Sequence, residues 1–225
     1  MKNDKIYEYL TKVKEIYGDN LFLDSDIVKN LNVVNHKTHV FDNLSKIKND
    51  VSNCLKCQLG KVRKNIVFGA GDPNADLMLI GEAPGEKEDE IGEPFVGRAG
   101  VLLDKILHSI KLKRTSKVYI TNVIKCRPQN NRDPLPSEVE KCEPYLTKQI
   151  QQIRPKLIVA LGKVAGKTLL KVDMSLKEMR GNLYKYESIP LYITYHPAAL
   201  LRNPKLKLSA WEDFKFIKKF LKDNV

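Results

Sequence analysis

The sequence predicts an α/β protein of three layers, in which helices cover both faces of a central, mostly parallel sheet of four strands. The first observation behind this prediction is that short apolar runs alternate with amphipathic segments from Asn53 onward. The second is the length of 225 residues, which fits one ordinary domain with a short appendage. The third is the composition, because 42% hydrophobic residues with only 12 Gly and 11 Pro exclude a largely disordered chain.

Residues 1–50 are predicted to form a helical N-terminal extension to a body made of residues 51–225. Apolar residues at steps of three and four place one face of a helix near the start of the chain: Ile6, Leu10, Val13 and Tyr17. The rest of the extension is rich in Asn and Asp and only weakly periodic. We expect the extension to cover the body or to recruit a partner, for which a replication or repair protein is the candidate.

The body contains four apolar runs that we interpret as buried strands. In chain order they are Asp76–Ile80, Val118–Asn122, Leu157–Leu161 and Leu191–Thr194. The amphipathic segments are interpreted as helices: Val101–Ile110, a helix opened by a capping box at Ser137 and Glu140 and running to about Ile153, Gly162–Leu170, and a last helix capped at Ser209. Helices between strands favour parallel pairing, and ligands of parallel sheets bind at the carboxyl ends of the strands.

The net charge of +12 comes entirely from residues 51–225, because residues 1–50 contain eight Lys against six Asp and two Glu. A basic body indicates a polyanion such as nucleic acid as partner. A Lys-rich surface that serves solubility, or a coding bias toward Lys, Asn and Ile, explains the charge equally well.

The apolar residues are too dispersed for a membrane protein. No run reaches the length of about 18 residues that a spanning helix needs, and Met1–Leu10 alternates charged and apolar residues instead of presenting the apolar core of a signal peptide. We therefore expect a cytoplasmic protein without membrane contact. We also expect a monomer. In that compartment the four cysteines are metal ligands or thiols rather than disulfides.

Side chains that can take part in binding or catalysis fall near the predicted carboxyl ends of the strands. Glu82 follows the first strand in a Gly-Glu-Ala-Pro-Gly turn, Asn122 ends the second, and His196 follows the fourth. Phe95 lies in the segment that leads to the first helix. A stacking ring, a pairing amide and charged groups together suit a planar heterocycle. Each residue alone also fits a structural role, so the prediction depends on their joint placement.

The four cysteines have the spacing of a metal site. They are Cys54, Cys57, Cys126 and Cys142. The first two form a Cys-x2-Cys motif, in which two thiolates can bind one ion, and two further cysteines complete a four-thiolate set. Structural zinc and a [4Fe-4S] cluster both accept four cysteine ligands, and the spacing does not decide between them. Buried thiols without a metal remain an alternative for Cys126 and Cys142.

A Leu-Leu-Arg segment lies between two prolines, just after His196. We expect Leu200 and Leu201 to form an exposed apolar pair on a stiff loop, beside Arg202. Exposed leucines next to a basic cleft can fill the space left by an extruded base. The alternative is that these leucines pack against the last helix.

Four motifs of the body resemble those of family 4 uracil-DNA glycosylases, the iron-sulfur type of bacteria and archaea. They are Gly81-Glu-Ala-Pro-Gly-x-x-Glu-Asp89, Pro94-Phe-Val-Gly-Arg98, Thr121-Asn-Val-Ile-Lys-Cys126-Arg-Pro128 and His196-Pro-Ala-Ala-Leu-Leu-Arg202, with the four cysteines interleaved. The resemblance covers roughly residues 53–221 and does not extend to the first 45 or so. It implies a structural [4Fe-4S] cluster held by the four cysteines.

The resemblance also implies how uracil is bound. Phe95 would stack on the flipped base and Asn122 would pair with its polar edge. Glu88 would lie near uracil C5, where the methyl group of thymine would clash. Gly81 and Ala83 would complete the uracil pocket.

Catalysis is implied at Glu82 and His196. Backbone amides around Glu82 and Ala83, together with His196, would stabilise the negative charge on the leaving uracil. The better-known uracil glycosylases have a water-activating Asp at the position of Ala83, so Glu82 is the candidate replacement. Three residues would form a loop that inserts into DNA: Leu200, Leu201 and Arg202.

The predicted function is therefore a monofunctional uracil-DNA glycosylase, which flips uracil from single- or double-stranded DNA, hydrolyses the N-glycosidic bond and leaves an abasic site. Covalent capture is not expected because Pro128–Pro134 contains no His, and strand cleavage is not expected because no Schiff-base lysine motif is present. The alternatives are a non-catalytic DNA-binding module of the same fold, with the cluster as scaffold or redox element, and a zinc protein unrelated to repair.

Overall fold

The computed structural model describes residues 43–224, so the helix expected near the start of the chain lies outside the described residues. The helices are α1 (of which residues 43–52 are described), α2 (Leu59–Val62), α3 (Glu86–Ile91), α4 (Arg98–Ser109), α5 (Pro136–Ile153), α6 (Lys163–Leu170), α7 (Leu176–Met179), α8 (Pro197–Arg202) and α9 (Lys207–Asp223). Two 3-10 turns lie at Gln129–Asn131 and Pro204–Leu206. The strands are β1 (Ala70–Gly71), β2 (Leu77–Gly81), β3 (Val118–Asn122), β4 (Leu157–Leu161), β5 (Leu183–Tyr186) and β6 (Ile189–Thr194).

The strands form one six-stranded sheet in the order β1-β3-β2-β4-β6-β5. The central strands β3, β2, β4 and β6 pair in parallel and correspond to the four predicted strands, which confirms the parallel core. The edge strands β1 and β5 pair antiparallel and extend the predicted sheet. Strand β2 lies between β3 on one side and β4 on the other. The connections that follow these strands therefore diverge at the carboxyl end of β2.

Apolar residues alternate between the two faces of the sheet. In β2, Met78 and Ile80 belong to one buried cluster while Leu77 and Leu79 belong to another. Helix α5 packs in the first cluster through Leu146 and other residues, and helices α4 and α9 pack in the second. A strand whose residues are all buried requires cover on both faces, so the three-layer prediction is confirmed.

Two predicted helix starts are wrong by two or three residues. Helix α5 begins at Pro136, and the Glu138 carboxylate accepts a hydrogen bond from the Leu135 amide at 2.8 Å. The predicted cap Ser137 therefore lies inside the first turn, because proline at the first helical position already fixes the backbone there. Helix α9 begins at Lys207 directly after a 3-10 turn, so Ser209 does not cap it.

Helix α1 packs on the body. Leu44, Ile47 and Val51 repeat at steps of three and four, and all three are buried in the cluster on the α5 side of the sheet. The boundary predicted between residues 50 and 51 therefore falls inside a helix. Within the described part of the chain, no helix is long and apolar enough to cross a membrane.

Candidate active site and cysteine cavity

A cleft of about 610 Å³ opens at the carboxyl ends of the parallel strands. Loops that follow β2, β3, β4 and β6 all contribute to its walls. Its lining includes six of the seven residues assigned from the sequence to catalysis and uracil binding: Glu82, Ala83, Glu88, Phe95, Asn122 and His196. The seventh, Gly81, lies beneath the floor, where a Cβ would overlap the Asn122 Oδ1 atom and lie 2.7 Å from the Phe95 ring. The joint placement expected from strand topology is therefore present.

Phe95 is held in a backbone conformation that an aromatic residue rarely adopts. Its φ is +54°, and its ring is only 5% exposed. The Arg114 guanidinium donates to the Phe95 carbonyl at 2.8 Å and to the Pro94 carbonyl at 3.3 Å, while its Nε donates to Asp104 at 2.8 Å. A Cβ on Gly100 would overlap the Phe95 carbonyl oxygen. Arg114 and Gly100 together fix the ring in the cleft wall, 5.4 Å from the His196 ring between centroids.

Asn122 lines the cleft and has a side-chain acceptor without a partner among the described residues. The residue is 1% exposed, and its Oδ1 has no hydrogen-bond partner among the described residues. Leaving a buried acceptor unpaired costs about 1–3 kcal/mol, so such an atom indicates a ligand that donates to it. Asn122 ends the fully buried strand β3, and a donor to its side-chain oxygen is favoured near the plane of the carboxamide.

Glu88 supports the same wall. Its Oε1 accepts hydrogen bonds from the Val96 and Gly97 amides, both at 2.9 Å. These amides precede α4, so the carboxylate satisfies donors at the N-terminus of that helix. The side chain is thus fixed and cannot swing away from a ligand in the cleft.

Glu82 carries a carboxyl group whose pKa is shifted toward neutrality. Burial, with a smaller contribution from the negative charge of Asp133 in the same cleft, raises the pKa of Glu82 to about 7. A carboxyl group that titrates near pH 7 can accept a proton from water during a reaction.

His196 is a neutral hydrogen-bond donor. Its Nδ1 accepts from the Ala198 amide at 3.1 Å, so the ring proton resides on Nε2. Burial lowers the pKa of His196 to about 4, with a smaller contribution from the positive charge of Arg202 and an opposing one from Glu88. At neutral pH the imidazole therefore offers an N–H and carries no charge.

The expected exposed leucine pair is only half present. Residues 197–202 form helix α8 rather than a loop, and this places Leu200 in the interior at 1% exposure. Leu201 is 38% exposed, and Arg202 lines the cleft. The prediction of an exposed Leu200 is thus wrong, because helical geometry turns adjacent side chains about 100° apart.

Sequence reasoning missed the contribution of β4. Gly162 and Lys163 follow this strand and line the cleft, as do Arg132 and Asp133 after β3. Gly162 has a φ of +97°, and a Cβ there would lie 3.0 Å from His196 Cβ. The rule that selected the other residues, proximity to the carboxyl end of a strand, also applies to Gly162 and would have found it.

The four cysteines line a single small cavity between α2, the segment after β3, and α5. Burial raises the pKa of the Cys126 thiol to about 11, and Arg63 opposes this through a hydrogen bond from Nη1 to Sγ at 3.2 Å. Arg63 also donates to the Cys54 carbonyl at 2.9 Å. Among the described residues, no group of three or more His, Cys, Asp or Glu side chains is arranged to hold a metal ion.

Lys125 lines the same cavity and is completely buried. Its Nζ donates to Thr121 Oγ1 and to the Asn122 carbonyl, both at 2.7 Å. Burial lowers the pKa of Lys125 to about 7, and the charges of Cys142 and Cys126 oppose that shift. The four cysteine sulfur atoms, with Arg63 and Lys125 beside them, form a set of residues that can bind a metal ion or a metal cluster.

Comparison with known proteins places these features in a family context. Residues 68–222 match the model of the "Uracil DNA glycosylase superfamily". The chain is 47% identical over 189 residues to the type-4 uracil-DNA glycosylase of Saccharolobus solfataricus, covering 80% of this chain and 87% of that protein. It is 46% identical over 185 residues to that of Sulfurisphaera tokodaii, covering 79% and 84%. The type-4 enzyme of Archaeoglobus fulgidus is 45% identical over 184 residues, covering 78% and 92%.

Proposed function

The chain belongs to the uracil DNA glycosylase superfamily and excises uracil from DNA, and from that premise we propose how its cleft does so. The single observation that carries the proposal is the unpaired Oδ1 of Asn122 beside the fixed ring of Phe95. Uracil N3 carries a hydrogen that this acceptor can bind, whereas cytosine N3 carries none. The buried amide therefore selects uracil over cytosine, because cytosine would leave Oδ1 unpaired.

Thymine is rejected by shape. Thymine and uracil present the same polar edge, so the methyl group at C5 must provide the difference. In our proposal Glu88 occupies the space near C5, and its hydrogen bonds from Val96 and Gly97 prevent it from moving aside. Because Glu88 cannot move aside, the methyl group of thymine would clash with it, and thymine would bind less favourably than uracil.

His196 stabilises the leaving group. When the bond between uracil N1 and the sugar C1′ breaks, its electron pair remains on uracil and negative charge spreads to O2. The neutral imidazole donates its Nε2 hydrogen to that charge from a fixed position, since the Ala198 amide holds Nδ1. One preorganised donor of this kind lowers the activation free energy by about 2.7–4 kcal/mol.

Glu82 acts on the water. In the proposed step the water oxygen forms a bond to C1′, and the proton that the water loses passes to the Glu82 carboxylate. A pKa near 7 makes the group basic enough to take the proton and leaves much of it ionised at neutral pH. In the proposal, Glu82 therefore accepts the proton from water, which the methyl side chain of Ala83 cannot do.

The DNA strand lies across the mouth of the cleft. Leu201 and Arg202 are exposed at its edge, and Lys205 and Lys207 are exposed on the following segment. In the proposal, Leu201 fills the gap left by the flipped base, and the cations neutralise phosphates. The positive charge of the body thus has a specific use.

The four cysteines would hold a [4Fe-4S] cluster. In support, all four cysteines line one cavity and together supply the four thiolate ligands that such a cluster requires. When bound, the cluster supplies a structural cross-link between the segment before α2, the segment after β3 and α5. The base-removal step itself uses only the residues of the cleft.

The test is a set of matched oligonucleotides that carry one uracil, thymine or cytosine at the same position. We expect alkali to break only the uracil strand after incubation with the iron-loaded protein, and Glu82→Ala and His196→Ala to reduce that break while retaining DNA binding. DNA binding without any break in the uracil strand would instead identify a DNA-binding module of the same fold.

A further inference from the structure

A fully buried lysine bridges the cleft and the cysteine cavity. Lys125 follows the base-reading end of β3 and precedes the cavity ligand Cys126 in sequence. Its Nζ donates to the Thr121 hydroxyl and to the Asn122 carbonyl, both at 2.7 Å. Thr121 in turn donates to the Phe68 carbonyl at 2.9 Å. Lys125 therefore holds the backbone of Asn122, whose side chain is proposed to bind uracil.

Lys125 also borders the cysteine cavity. The residue lines that cavity, and the next residue in the chain is the cysteine Cys126. The Lys125 backbone carbonyl accepts a hydrogen bond from the Val67 amide at 2.9 Å. The backbone of Lys125 is therefore held at the cysteine cavity, while its side chain reaches the end of β3.

We propose that Lys125 is a positioning residue that couples the four-cysteine site to uracil recognition by Asn122. The inference rests on the proposed function. Thr121 and Asn122 accept two hydrogen bonds from Nζ. In the proposal, a cluster held by Cys126 fixes the adjacent backbone of Lys125, and the Nζ hydrogen bonds then hold the Asn122 backbone, and hence its side chain, in position.

The substitution Lys125→Met tests the coupling, because methionine fills similar space without charge or hydrogen bonds. Iron content, visible absorption and inhibition by free uracil are measured, with kcat and KM on the uracil oligonucleotide. We expect lower iron retention and, in the iron-loaded fraction, inhibition by uracil weakened roughly tenfold. The control is Lys148→Met, which makes the same lysine-to-methionine change at an exposed position of α5 and should match the wild type.

The outcomes separate coupling from simpler roles. Lost iron with unchanged uracil inhibition in the loaded fraction would make Lys125 a cluster residue alone. Weakened inhibition with normal iron retention would make it a local support of β3 alone. Either result, like wild-type behaviour in both, overturns the coupling. Absence of uracil excision by the wild type would instead refute the proposed function.

A second variant serves if Lys125→Met does not fold. Thr121→Val retains the lysine and the four cysteines but removes one acceptor of Nζ. We expect uracil inhibition weakened by about threefold together with a smaller loss of iron, because the Asn122 carbonyl remains as the second acceptor. Unchanged inhibition, or weakened inhibition with normal iron retention, would overturn the proposal.

Discussion

Two titratable side chains of the cleft are shifted in opposite directions by the same cause. Burial disfavours the charged form of each, so the pKa of Glu82 rises to about 7 and that of His196 falls to about 4. At neutral pH the carboxyl group can exchange a proton with water while the imidazole remains a neutral donor. Such a separation of pKa values assigns distinct roles to neighbouring groups.

The pH dependence of excision follows from the Glu82 shift. Activity requires the carboxylate, so kcat/KM should rise with pH through about 7 and then level off. In Glu82→Gln the residual activity should lack this rise, since glutamine does not titrate. Rates measured from pH 5.5 to 9 would test this, and an equally steep rise in the variant would assign it to another group.

The same shift predicts that removing the charge of Glu82 stabilises the protein at alkaline pH. A carboxyl group whose pKa is raised by folding penalises the folded state increasingly as pH rises from its unfolded value to its folded value. Glu82→Gln should therefore increase unfolding free energy at pH 8 by about 1–2 kcal/mol, after allowance for partial exposure, and by little at pH 4. Urea unfolding at both pH values measures this; equal effects at the two would contradict it.

Arg114 is expected to govern the position of Phe95. Arg114→Met removes two hydrogen bonds to the Pro94 and Phe95 carbonyls, so the strained backbone should relax and move the ring. We expect kcat/KM on uracil DNA to fall roughly tenfold, with weaker inhibition by free uracil. Lys105→Met, an exposed change on α4, is the matched control. Wild-type uracil inhibition in Arg114→Met would show that Phe95 needs no such support.

At the residue scale, the sequence indicated which side chains converge but not how each is held. Motifs and strand ends located Glu82, Asn122 and His196. Arg114 could not be found in this way, because it reaches the Phe95 carbonyl from 19 residues away and only the folded chain brings them together. The pKa shifts likewise depend on burial, which a local pattern does not specify.

At the scale of elements, the buried strands were the most predictable features and the edge strand β5 the least. Central strands read as continuous apolar runs because both faces are covered. Only one of the four residues of β5 is buried, and the strand joins β6 through Glu187 and Ser188, both at positive φ. A two-residue turn of this geometry is usually formed by Asn-Gly, so the sequence carried no turn signal there.

Helix α8 separates two leucines that the sequence treated as a pair. Leu200→Ala should destabilise the fold by about 2–5 kcal/mol, because it leaves a cavity in the interior. Leu201→Ala should leave stability nearly unchanged but slow excision from double-stranded DNA more than from single strands, where no stacked partner must be displaced. Thermal unfolding and the two rates measure this contrast; equal slowing on both substrates would remove Leu201 from base extrusion.

At the scale of the whole molecule, the parallel sheet accounts for the site. Four strand ends bring together loops that lie more than 100 residues apart in sequence, and the cysteine cavity adjoins the end of β3. The sequence predicted this layout because alternating strands and helices leave few alternatives. It could not predict the neutral state of His196 or the unpaired Asn122 oxygen, which arise from close packing.

In the proposed mechanism, these loops form one cleft that recognises uracil through the Asn122 amide. The decisive measurement is single-turnover excision from one uracil oligonucleotide at saturating protein, by the wild type and by Asn122→Ala. We expect the variant to be about 10- to 100-fold slower, with unchanged affinity for undamaged DNA, since only the contact to the base is removed. Equal excision rates for the two proteins would refute uracil recognition by Asn122.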